Sequence, residues 1–82
     1  MAETERMRVR LVFPQNLIKE PLIGKMTKQF DVMPNIRRAK VTDTVGEVEL
    51  ELEGPRASLE KGVKYLRDQG VEVEEITGNI VE

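Results

Sequence analysis

Residues 47–53 read EVELELE, four glutamates alternating without a break with Val48, Leu50 and Leu52. A period of two is half buried only as an extended strand, because a helix would scatter the same side chains around its circumference. Residues 6–13, RMRVRLVF, repeat the period with the opposite charge, placing Met7, Val9, Leu11 and Phe13 on one side and Arg6, Arg8 and Arg10 on the other. Two oppositely charged strands, each with one apolar face, are the frame to which the rest of the chain must fit.

The segments between and after them supply the other elements. Pro21 suits a first helical position, and Leu22 or Ile23, Met26 and Phe30 recur at helical spacing, which predicts a helix from about 20 to 31. Pro34 is read as closing a turn. From Asn35 to Thr42 the apolar residues Ile36, Ala39 and Val41 have an odd spacing that predicts a strand with a bulge. It is joined through Asp43-Thr44-Val45-Gly46 to the EVELELE strand as a hairpin. Gly54-Pro55 opens a second helix with Leu59, Val63 and Leu66 on one stripe, and Gly70 stands where a left-handed C-terminal residue is needed. Val71, Val73 and Ile76 mark a last strand. The order β-α-β-β-α-β predicts an α+β, ferredoxin-like fold: a four-stranded antiparallel sheet with two helices on one face. Gly24 and Gly62 fall inside the helices, where close helix packing is the expected compensation for their poor propensity.

Charge selects the strand order. In the order 4-1-3-2 the open face carries Glu72 and Glu74, then Arg8 and Arg10, then Glu49 and Glu51, then Arg38 and Lys40. Signs alternate from strand to strand, whereas the order 1-2-3-4 would set the acids of the third strand against those of the fourth.

Composition removes most functions known for this plan. The 82 residues include no Cys and no His, which excludes disulfides, thiolate chemistry and iron–sulfur ligation, and leaves no imidazole as base or metal ligand; no cofactor and no metal site are expected. A net charge of −2 argues against nucleic acid as partner, and the open-face positions carry Arg and Glu where an RNA-recognition sheet displays aromatics. An acylphosphatase-like site needs an arginine in an anion-cradling loop after the first strand, but that loop reads PQNLIKEP, with Lys19 its only cation. The glutamate pairs beside arginines fit ion-paired carboxylates better than an acid and a base with separated pKa values. No enzyme is expected. The N-terminus, MAETERMRV, has acids before its first apolar run and resembles no signal peptide, and no apolar stretch approaches a membrane span, so a cytoplasmic chain without membrane insertion is expected. A single domain over 6–77, with tails at 1–5 and 78–82, follows.

Across residues 8–76 the chain resembles the NIL domain family, named for an Asn-Ile-Leu motif and found at the C-terminus of methionine-importer ATPases. The resemblance rests on EPLIGKMTKQFDV, on Asn35-Ile36 beyond the first helix, on VELELEG and on ASLEKGVKYLRDQGVEVEEI. Arg37 replaces the third motif letter, and the TDTVG turn looks shorter than the importers'. The family is similar to amino-acid-binding ACT modules. What the resemblance implies is a regulatory module that pairs with its twin and holds methionine, or a related amino acid or sulfur metabolite, between the two copies. The motif asparagine that contributes to that pocket corresponds to Asn35. Since G-x-x-x-x-G-K-[ST] is absent, a free-standing domain that regulates some other, unknown protein is expected.

For the individual residues two readings stand side by side. Asn35 is either a turn residue with a local backbone hydrogen bond or a ligand-binding amide. Arg37 and Arg38 either guard a sheet edge or pair with a ligand carboxylate. Met33 and Met26 are filler or pocket wall, and Ile36 and Val41 offer apolar contact to a thioether tail. The candidate site is thus Met33, Asn35, Ile36, Arg37, Arg38 and Val41 at a homodimer interface; the alternative is a protein–protein interaction module without a ligand.

Overall fold

A computed structural model describes residues 4–76. Strand β1 (Glu5–Phe13) leads through a short 3-10 turn (Gln15–Leu17) into helix α1 (Leu22–Phe30). Strands β2 (Met33–Val41) and β3 (Gly46–Gly54), helix α2 (Arg56–Asp68) and strand β4 (Glu72–Glu75) follow. The sheet runs β2-β3-β1-β4 with every pair antiparallel, which is the 4-1-3-2 order read from the charges. This is the ferredoxin-like βαββαβ arrangement, both helices lying on one face. The expected tail 78–82 and residues 1–3 lie outside the described residues, while Glu5, assigned to the N-terminal tail, already begins β1.

One core fills the space between sheet and helices. Val9, Leu11 and Phe13 of β1 and Val48, Leu50 and Leu52 of β3 face Leu22 and Met26 of α1 and Leu59, Val63 and Leu66 of α2. Among the described residues no polar or charged side chain is buried. Phe30 and Tyr65 close the helix pair with ring centroids 5.6 Å apart, tilted by 56°, a favoured aromatic geometry.

The helix ends follow local chemistry. After α2, the amide of Gly70 bonds to the carbonyl of Arg67 at 3.0 Å and that of Val71 to the carbonyl of Leu66 at 3.0 Å. This is the Schellman pattern, and Gly70 sits at φ 104° as it requires. Helix α1 ends instead on Asp31 at φ 58°, the one non-glycine residue with positive φ among those described. The hairpin is held by Thr42, whose amide donates to the carbonyl of Val45 at 2.7 Å while its Oγ1 accepts from the amides of Thr44 and Val45.

The two helical glycines differ, which corrects the expectation of close packing at both. A Cβ on Gly62 would lie 3.0 Å from Sδ of Met26, so there the helices do approach. A Cβ on Gly24 would have nothing within 4 Å. Gly24→Ala is therefore expected to stabilise the protein by about 0.5–1 kcal/mol, through helix propensity alone. A denaturant midpoint unchanged or lowered in the variant would contradict the open flank.

Candidate functional site

The register assigns each predicted site residue to a face of β2, and it divides them. Met33, Asn35, Arg38 and Lys40 lie opposite Glu53, Glu51, Glu49 and Glu47, hence on the open face. Pro34, Ile36, Ala39 and Val41 lie opposite Leu52, Leu50, Val48 and Gly46, hence on the helix side. The change of parity occurs between Ile36 and Arg38, where the pairing slips by one residue and leaves Arg37 in a bulge. The bulge is what the odd spacing of Ile36, Ala39 and Val41 had predicted. Asn35, by contrast, is not a turn residue: β2 begins at Met33, and Pro34 lies within the strand. An edge strand accepts Pro34 because its missing N–H can fall on the solvent side. The chain turns earlier, at Asp31.

All six predicted residues are exposed, so the strand presents them, but none of four recesses lined by described residues gathers them. An apolar recess of about 190 Å³ opens on the helix side beside the N-terminus of α1, walled by Phe13, Ile18, Ile23, Val48 and, of the six, Val41 alone. On the open face Arg38 lines a shallow basin of about 410 Å³ with Arg10, Lys40, Glu47 and Glu49. Met33 lines a third hollow, of about 520 Å³, with Thr27, Asp31 and Glu53. Asn35, Ile36 and Arg37 line none of these. Met26 is fully buried in the core and is no part of a pocket wall. The apolar recess was not read from the sequence; its signal was Gly24, whose lack of a side chain leaves the rim open.

The open face is an ion-paired lattice centred on Arg10. Its guanidinium bonds to the Glu74 carboxylate on β4 and lies 3.4 Å from Oε2 of Glu47 on β3. The Glu74 hydrogen bond and charge, with smaller help from Glu47 and Glu49, raise the Arg10 pKa further above its ordinary value. The register places Glu49 directly opposite Arg10 and Glu51 opposite Arg8. Yet Arg10 reaches diagonally to Glu47, the residue facing Lys40. Among the described residues Arg37, Arg38 and Lys40 form no ion pair. No helix among the described residues is long and apolar enough to cross a membrane.

A model of the NIL domain family matches residues 7–75. The methionine import ATP-binding protein MetN of Halalkalibacterium halodurans is 32% identical over 74 residues, covering 85% of this chain and 22% of that protein. MetN 1 of Listeria innocua is 32% identical over 72 residues, covering 83% of this chain and 21% of that protein. The chain thus spans about a fifth of the length of the curated relatives it matches. The crystal structure of the C-terminal domain of an ABC transporter ATP-binding protein from Enterococcus faecalis superposes with a TM-score of 0.80 at 26% identity, covering 89% of this chain and 86% of that one. Family model, relatives and superposed structure agree over nearly the whole sheet and both helices, and the chain belongs to the NIL domain family, a family of non-catalytic regulatory modules.

Proposed function

We propose that this NIL domain senses methionine, or a related amino acid or sulfur metabolite, at an interface between two copies of itself, and passes the signal to another protein. The observation that carries the reading is the division of the motif region across an exposed edge strand. Met33, Asn35 and Arg38 stand on one face and Ile36 and Val41 on the other, so one chain offers half-sites that a second chain at the same edge would complete. Met33, Ile36 and Val41 are 67%, 56% and 60% exposed, high for apolar side chains on a sheet and in keeping with a surface covered on assembly. Two equivalent sites per dimer follow from twofold symmetry. The relatives' names, which speak of methionine import, suggest the ligand.

Within such a site the amide of Asn35 serves either end of an amino acid, because it both donates and accepts. Arg38, on the same face and without an ion pair among the described residues, offers a charge-assisted contact to the carboxylate. The bulged Arg37 is a second candidate for it.

The test is a thermal-shift and calorimetric screen of amino acids and sulfur metabolites. A ligand at 100 times its dissociation constant adds about 2.7 kcal/mol to stability, a rise on the order of 10 °C for a domain of this size. Asn35→Ala is expected to change stability in the absence of ligand by less than about 1 kcal/mol, since the side chain is exposed, and to abolish the methionine-dependent shift. Absence of methionine binding at millimolar concentration overturns methionine as the ligand. If no metabolite in the screen binds, the module docks a partner protein without one.

A further inference from the structure

We infer that the C-terminal half of β2, Arg38–Val41, is a docking edge for a partner strand of alternating acidic and apolar residues, an interaction that goes beyond the ligand reading and competes with it for Arg38 and Val41. The two halves of β2 are not equivalent as edges. Around Asn35 the strand has Pro34, which offers no N–H, and the bulge at Arg37, both of which spoil a hydrogen-bonded ladder. From Arg38 to Val41 the strand is regular, pairs residue for residue with β3, and has no neighbour on its outer side among the described residues.

The side chains of this half specify what can lie beside it. On the open face the sheet reads acidic, basic, acidic, basic from β4 to β2, and the series stops on a basic strand. Arg38 and Lys40 are exposed and form no ion pair among the described residues; Glu47, which faces Lys40, pairs instead with Arg10 on β1. A fifth strand bearing carboxylates on that face continues the alternation, and one bearing cations breaks it. On the helix side Ala39 and Val41 are exposed, and Val41 forms one wall of the apolar recess beside α1. The apolar side chains of the same incoming strand fall over this row and reach the recess. Pairing with β2 of a second copy along this half sets Arg38 and Lys40 against their own kind, so the charge disfavours self-pairing here. Main-chain bonds supply affinity and the alternate side chains supply selectivity, as in other strand-addition complexes.

A synthetic peptide Glu-Val-Glu-Leu-Glu-Leu-Glu, the sequence of residues 47–53, is the probe, with Lys-Val-Lys-Leu-Lys-Leu-Lys as its charge-reversed counterpart. Titrated into the whole protein and followed by amide NMR, the acidic peptide is expected to shift Arg38–Val41 and the walls of the recess, leaving the β4 edge unmoved. The variant Arg38→Glu/Lys40→Glu is expected to bind the acidic peptide at least about tenfold more weakly and to gain affinity for the basic one. That gain shows the variant to be folded and the effect to be charge-specific. No shift at millimolar peptide, equal affinity of protein and variant for the acidic peptide, or shifts confined to β4 overturns the inference. So does protection of the Arg38–Val41 amides by self-association without peptide.

Discussion

Replacing Leu50 by alanine is expected to destabilise the domain by about 2–5 kcal/mol. Leu50 is fully buried in β3, opposite Val9 on β1 and Ile36 on β2, so it lies where the sheet has strands on both sides and the helices above. Truncation removes its apolar burial and leaves a cavity between strands whose register is fixed on both flanks, so the site has little freedom to collapse. A domain of this length has on the order of 5–10 kcal/mol of stability in all. The variant should therefore lose a large part of it, with the melting temperature falling by roughly 10 °C or more. A loss below about 1 kcal/mol in chemical denaturation would mean that the core is looser than the packing of Leu50 implies.

Gly62→Val should cost about 1–3 kcal/mol by a different route, since it adds atoms where the helices touch. The added Cβ falls 3.0 Å from Sδ and 3.1 Å from Cγ of Met26, and its γ-methyls approach Val32 Cγ2, which lies 3.7 Å from the Cβ position. Met26 is fully buried and cannot swing into solvent. The helices must then separate, loosening the contact between Phe30 and Tyr65. Combining Gly62→Val with Met26→Ala should recover part of the loss, and a double-mutant cycle without coupling would refute the steric cause.

The strand order was legible because electrostatics on an open face depends only on the sign of each strand, which composition displays. The bulge was legible because it is a break in a period. Gly70 was legible because few residues accept φ 104°. Other features depend on where a residue lies in three dimensions, and there the sequence was silent or misleading. Pro34 reads as a turn, yet on the outermost strand its missing donor costs nothing, and β2 reaches back to Met33. Gly24 and Gly62 look alike in sequence, but only Gly62 faces the other helix. The candidate site was read as one cluster because its members are adjacent in sequence. Alternation along a strand sends adjacent residues to opposite faces, and the register then decides which of them can share a ligand.

The extra residue at Arg37 makes β2 two strands in tandem, one phased by the Thr42–Val45 hairpin and the other by helix α1. Deleting this single residue would leave both halves as they are, because Ile36 and Arg38 already face the consecutive residues Leu50 and Glu49; keeping every residue and closing the bulge would invert everything upstream. Asn35 would turn toward the helices and Ile36 toward water. The orientation of Asn35 thus hangs on the bulge, and a one-residue slip of register that changes no side chain would take it off the open face as completely as replacing it.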